Sequence, residues 1–205
     1  MNNMERLFAE SSNAKEFAAG YLDYLANLLR KLDLDEITAF IDEMDRCHKS
    51  QNNIFIVGNG GSAATASHMV NDLGMDVLKK AGIEVPFRAM SLTDNIPLIM
   101  AISNDDSYDN VFVNQLKIYY KEGDILIGIS ASGNSPNIIN AAEWVKQRNG
   151  KVIGLTGFDG GKLKEISDIV VHVDTPKGEY GPVEDIHLVI NHLLAMWFQN
   201  KMKVR

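Results

Sequence analysis

Five short apolar runs govern what this chain can become. They are Ile54-Phe55-Ile56-Val57, Phe87-Arg88-Ala89-Met90, Ile125-Leu126-Ile127-Gly128-Ile129, Val152-Ile153-Gly154-Leu155 and Ile169-Val170-Val171-His172-Val173. Each is too short for a helix, most are continuous rather than alternating, and segments of helical period lie between them. Continuous apolar strands joined by helices are the pattern of a parallel sheet buried on both faces. The expected fold is therefore α/β, with a doubly wound five-stranded parallel sheet between two helical layers. In such sheets ligands bind beyond the carboxyl ends of the strands, which directs attention to the loops that follow these runs.

Before residue 53 the period is helical. Phe17, Tyr21, Tyr24, Leu25 and Leu28, then Ile37, Phe40, Ile41 and Met44, predict two helices within residues 12–49. Their link, Leu32-Asp33-Leu34-Asp35, is short, and Asp35 stands where an N-cap belongs. This hairpin, residues 1–50, is too small to fold alone. It is expected to pack on the 51–205 body or on another subunit, the 205 residues forming one domain. The net charge of −7, with basic residues gathered only at Lys79-Lys80 and at Lys201, Lys203 and Arg205, argues against nucleic acid as a partner. Cys47 is the only cysteine, which excludes an intrachain disulfide and a four-cysteine zinc site. The N-terminal stretch lacks the continuous apolar run of a signal peptide or membrane span, so a cytoplasmic location with no membrane partner is expected.

Two loops have the chemistry of an anion site. The first run ends in Gly58-Asn59-Gly60-Gly61-Ser62 and opens a helix reaching about residue 79. A glycine loop at a helix start exposes backbone N–H groups to an anion, and the helix dipole adds favourable potential. Gly58, Gly60 and Ala63 also fit a dinucleotide-binding pattern, but the acidic residue expected ~20 positions later, after a second strand, is missing, so no nucleotide cofactor is expected. The third run ends in Ser130-Ala131-Ser132-Gly133-Asn134-Ser135-Pro136. Ser135 and Pro136 read as a helix cap and first helical residue. Ser130 and Ser132 are left as hydroxyls suited to phosphate oxygens, and no P-loop lysine follows to suggest a nucleoside triphosphate.

Acid–base candidates lie on two helices. His68 and Asp72, four residues apart, share a helix face opposite Ala66, Val70, Leu73 and Val77. Such a pair can share a metal or a proton, although a polar face opposite an apolar one ordinarily just meets water. The last helix is expected to start at Pro182 and to bury Val183, Ile186, Val189, Ile190, Leu193 and Trp197. Glu184, Asp185, His187 and His192 lie elsewhere on it, and spacing alone does not choose between the two histidines. Glu184 and Asp185 in the first turn also simply complement the helix dipole.

The loops Gly58–Ser62 and Ile129–Ser135, together with Leu155-Thr156-Gly157-Phe158-Asp159-Gly160-Gly161, resemble the sugar isomerase (SIS) domain, a flavodoxin-like three-layer sandwich. Within that superfamily the chain is most similar to the phosphoheptose isomerases, over nearly its whole length. The resemblance implies an aldose–ketose isomerase converting sedoheptulose 7-phosphate to D-glycero-D-manno-heptose 7-phosphate through an enediol, for bacterial surface polysaccharide precursors. It implies that Ser62, Ser130, Ser132 and Ser135, with Ala131 between them, surround the phosphate, that Asn59, Gly60 and Gly61 line the sugar, and that Asp94 and Asn95 contact substrate. It selects His192 with Asp72 as the catalytic pair. It also implies one zinc ion held by His68, Asp72, Glu184 and His192, with Glu184 also touching substrate, in a homotetramer whose sites lie between subunits. The family usually carries glutamate at position 72 and glutamine at 184, so this chain departs at both. The alternatives are a non-catalytic SIS module that binds a sugar phosphate or a protein, an isomerase of another ketose phosphate, and a lyase of the etherase type.

Overall fold

The computed structural model describes residues 1–203, and Val204 and Arg205 lie outside them. All five apolar runs are strands: β1 (Asn53–Gly58), β2 (Arg88–Ser91), β3 (Ile125–Ser130), β4 (Lys151–Phe158) and β5 (Ile169–Asp174). They form one sheet in the order β2-β1-β3-β4-β5, every neighbouring pair parallel. β1, β3 and β4 are buried at every position beyond the first residue, which is why their sequences run apolar without alternating. The chain leaves β1 outward to β2 and returns to β3 on the other side. That reversal opens a crevice at the carboxyl ends of β1 and β3, and the register Gly58↔Ile129 puts the two loops side by side there.

Two cores sandwich the sheet. One face is covered by α2 (Ala14–Arg30), α3 (Leu34–Lys49), α4 (Gly61–Val70), α5 (Val77–Ala81) and α10 (Tyr180–Lys203), through Phe40, Met44, Met69, Leu73, Ile190 and Phe198 among others. The other face is covered by α6 (Ile96–Asp105), α7 (Val111–Tyr119), α8 (Pro136–Lys146) and α9 (Gly161–Ile166), through Phe112, Leu116, Val145 and Leu163. The N-terminal helices are anchored beside the start of α10. Tyr24 Oη donates to Glu179 at 2.5 Å, and Tyr21 Oη donates to Asp185 at 2.5 Å.

Three local expectations are corrected. A further helix, α1 (Asn3–Glu10), precedes the hairpin, started by a capping box in which Asn2 and Glu5 bond each other's backbone N–H groups. The cap of α3 is Asp33 rather than Asp35, because Asp33 has extended backbone and its carboxylate accepts from the N–H groups of Asp35 (2.9 Å) and Glu36 (3.3 Å). The last helix starts at Tyr180, two residues before Pro182, which sits in the first turn where its missing N–H costs no helical bond. Its inner face is Val183, Ile186, His187, Ile190, Leu194 and Phe198, while Val189, Leu193 and Trp197 are exposed by 42%, 39% and 51%. α10 is apolar on two faces, so its 3.6-residue period does not say which one meets the sheet.

Candidate active site

At the carboxyl end of β1 the chain turns through Asn59 and Gly60 into α4. A side chain on Gly58 would place its Cβ 2.5 Å from the backbone of Ser62, so only glycine lets the helix start this close to the strand. Gly61 is bare for a different reason: a Cβ there would collide with the carboxylate of Glu184 on α10. The first α4 N–H with a partner inside the turn is that of Ala63, bonded to Asn59 and Gly60 carbonyls at 3.3 and 3.1 Å. The N–H groups of Gly61 and Ser62 precede it and are helix-start donors of the kind that bind anions.

The loop after β3 faces them across the crevice. Ser130 Oγ accepts from the Gly133 N–H (3.1 Å) and Ser132 Oγ accepts from the Asn134 N–H (3.3 Å), which leaves each hydroxyl proton free to donate. Ser135 is the first residue before α8, yet its hydroxyl makes no capping bond. It lies 3.4 Å from Ser130 Oγ, so Ser135 keeps the N-cap position expected of it while its hydroxyl joins the pocket. Asn59 and buried Asn137 exchange carboxamide hydrogen bonds at 2.9 and 3.0 Å and pin the two loops together. Ser62, Ser130, Ala131, Ser132, Ser135 and Glu184 line one pocket of about 120 Å³, with Asn59 and Tyr180. No lysine or arginine lines it, so an anion there would be held by hydroxyls, backbone N–H groups and helix dipoles.

α4 and α10 run side by side from this pocket. Gly61 meets Glu184 at one end, and seven and eight residues later His68 meets His192. Between α4 and α5 the helix widens into a π turn, Asn71–Asp76, whose extra residue closes with the Val77 N–H bonded to the Asp72 carbonyl. π turns of this kind frequently mark functional positions. The face expected to meet water instead meets α10, so Asp72 is only 6% exposed. Asp72 Oδ2 lies 3.3 Å from His68 Nε2 and 3.8 Å from His192 Nε2, and the two Nε2 atoms are 3.4 Å apart. Both imidazoles are about half exposed, so this small cluster opens outward from a buried carboxylate.

The donor chemistry fits a metal. Zinc bonds of about 2.0–2.1 Å in a tetrahedron put neighbouring donors about 3.4 Å apart, close to the three separations found. Among the described residues, His68, Asp72 and His192 form the group able to share an ion. Glu184 does not join it, because its carboxylate lies back against Gly61 in the serine pocket. Burial there raises the Glu184 pKa, and Asp185 adds to the rise.

The remaining expected residues fall as follows. Asp94 accepts from the hydroxyls of Ser67, Ser91 and Thr93, beside α4. Asn95 caps α6 through Leu98 N–H (3.2 Å), and both residues border a depression separate from the serine pocket. His187, the histidine that spacing left open, is fully buried with Nε2 3.3 Å from the Thr156 carbonyl, and burial pushes its pKa down to about 4. Sequence reasoning missed Asn137, Tyr180 and Asn191, whose side chains face partners distant in the chain.

The SIS domain family matches residues 20–157. This chain belongs to the SIS domain family. Among curated SIS proteins, one named "Probable phosphoheptose isomerase" from Thermoplasma acidophilum is 34% identical over 184 residues, covering 90% of this chain and 98% of that protein. The phosphoheptose isomerase of Aliarcobacter butzleri is 39% identical over 158 residues, covering 75% and 79%. The solved phosphoheptose isomerase of Neisseria gonorrhoeae superposes with a TM-score of 0.79 at 29% identity, over 92% of this chain and all of that one. The five-stranded parallel sheet is thus the SIS sheet, and its serine loops sit on the β1/β3 crevice.

Proposed function

We propose that this SIS protein is an aldose–ketose isomerase that converts sedoheptulose 7-phosphate to D-glycero-D-manno-heptose 7-phosphate. The observation that carries this reading is the convergence of His68, Asp72 and His192 one helix segment away from the serine pocket. Ser62 and His68 are six residues apart on α4, about 9 Å at 1.5 Å per residue. Six carbon–carbon bonds of about 1.5 Å, staggered, advance about 7–8 Å, so a seven-carbon sugar anchored by its terminal phosphate would reach the cluster with C1 and C2. The names of the relatives select the heptose among sugars of similar length.

In this reading Ser62, Ser130, Ser132 and Ser135, with the backbone around Ala131 and the α4 start, hold the phosphate. That anchoring supplies remote binding energy which positions the reacting carbons. Asn59, Gly60 and Gly61 line the sugar, Glu184 meets the substrate from the serine pocket beside Gly61, and Asp94 and Asn95 contact substrate from the loop after β2. Moving a carbonyl between C1 and C2 needs a proton taken from the carbon beside it and returned to its neighbour. Asp72 and His192 exchange that proton through an enediol, while burial of Asp72 against α10 keeps its carboxylate oriented. His68, Asp72 and His192 would hold zinc. When bound, the ion supplies charge that polarises a carbonyl oxygen. The exposed apolar ridge of Val189, Leu193, Met196 and Trp197 on α10 supports self-association as a homotetramer with sites near its interfaces. No helix among the described residues is long and apolar enough to cross a membrane, and a cytoplasmic site of action fits a phosphorylated substrate.

Proton and carbon NMR of a panel of sugar phosphates incubated with the protein in deuterated water tests the assignment. Sedoheptulose 7-phosphate should give the aldose with deuterium incorporated, and Asp72→Asn and His192→Ala should each lower turnover by about 10²–10⁴-fold. Binding without exchange would overturn it and favour a non-catalytic sugar-phosphate module, and unchanged turnover in both variants would overturn the roles given to Asp72 and His192.

A further inference from the structure

We propose that Asn191 is a positioning residue that fixes the Asp72 carboxylate toward the histidine pair. Asn191 is wholly buried on α10, among Ile190, Leu194 and Phe198, an apolar setting where a leucine would pack as well. Its Nδ2 donates to Asp72 Oδ2 at 2.8 Å across 119 residues of sequence. Its own Oδ1 is buried without a partner. Its acceptor oxygen is therefore unused, and the one hydrogen bond its side chain makes goes to Asp72, which a packing role does not explain. The orientation of the carboxamide follows from chemistry: turned over, Oδ1 would face a carboxylate oxygen.

The bonded atom gives the contact its meaning. Oδ2 is the same oxygen that lies 3.3 Å from His68 Nε2 and 3.8 Å from His192 Nε2. A carboxylate oxygen has two lone-pair directions, so with Asn191 on one, the other is left to the imidazoles or to an ion between them. The terminal torsion of an aspartate is a soft, roughly two-fold rotor. The other oxygen, Oδ1, has only the Asn71 carboxamide at 3.2 Å, from an exposed side chain. Without Asn191 nothing buried holds Asp72 at the angle that aims Oδ2 at the histidines. Partners behind a ligand of this kind tune both metal affinity and activity.

This inference rests on His68, Asp72 and His192 being the working group. The test uses the full chain with Asn191→Leu, which keeps the volume and removes the donor, made alone and in an Asp72→Ala background. Asn191→Ala serves if the leucine variant does not fold. Zinc affinity is read by competition with a chromophoric chelator, and kcat and KM are read separately with the sugar phosphate. Asn191→Leu should weaken zinc binding about 10–100-fold and lower kcat. KM should stay within about twofold, because the serine pocket is untouched, and in the Asp72→Ala background the added change should shift zinc affinity less than about twofold. Equal loss of affinity in both backgrounds, or no loss in either, would overturn the proposal. A parent chain that takes up no zinc would remove the metal from the reading, and Asn191→Leu would then support the positioning role by lowering kcat at unchanged KM and overturn it by leaving kcat unchanged.

Discussion

Acidification provides a test that separates the two histidines of α10. His187 is fully buried, its Nδ1 has no partner, and burial holds its pKa down to about 4 against an ordinary value of 6.5. The thermodynamic sign follows. Above pH 6.5 the imidazole is neutral in both folded and unfolded chains and costs nothing. Between the two pKa values the unfolded chain takes up a proton that the folded one refuses, so stability falls as pH falls. Each pKa unit carries about 1.4 kcal/mol, and from pH 7.5 to pH 5 the linkage relation gives a loss of about 2 kcal/mol from this one group. With a urea slope of about 2 kcal/mol/M, the parent midpoint should drop by about 1 M from His187 over that interval. Half-buried His172, also shifted downward by burial, adds in the same direction and is common to every variant compared. His187→Leu should flatten the curve by that amount while turnover persists, whereas His192→Ala should remove turnover. Measurements belong at one protein concentration, since an assembling chain gains stability with concentration. Parallel pH curves for the parent and His187→Leu would refute the assignment of a buried neutral imidazole.

Three further outcomes follow from the site. Ser130→Ala combined with Ser132→Ala should raise KM for the sugar phosphate by about 10²–10⁴-fold, with the fold intact by circular dichroism, because hydrogen bonds to a charged partner are worth about 1.5–3 kcal/mol each. Gly61→Ala should displace the Glu184 side chain and cut kcat/KM, while the melting temperature changes little, since alanine favours the helix by up to about 1 kcal/mol. Prolonged chelation should lower turnover, which zinc should restore in the parent but not in His68→Ala, as followed by activity and metal analysis of the dialysed protein.

The sheet was legible because its central strands β1, β3 and β4, buried on both faces, have to be apolar throughout, and the two edge runs also became strands. The serine and glycine loops were legible because their chemistry lies in consecutive residues at strand ends. His68 and Asp72 were legible as an i, i+4 pair, but the burial of Asp72 was not, since the helix covering it comes more than 100 residues later. Asn137 and Asn191 were invisible for that same reason: a carboxamide announces neither its burial nor its partner. The inner face of α10 was misassigned because Val189, Leu193 and Trp197 are as apolar as Leu194 and Phe198. The π turn leaves no compositional mark, as one surplus residue in a helix has no preferred type.

α10 is occupied nearly all round its circumference. One side belongs to the sheet, another carries an oily ridge, and the strip dividing them bears Glu184, Asn191 and His192. Almost no position on it is free to drift, so over evolutionary time this helix should be among the slowest-changing parts of the chain, well behind the surface of α1 in its rate of substitution.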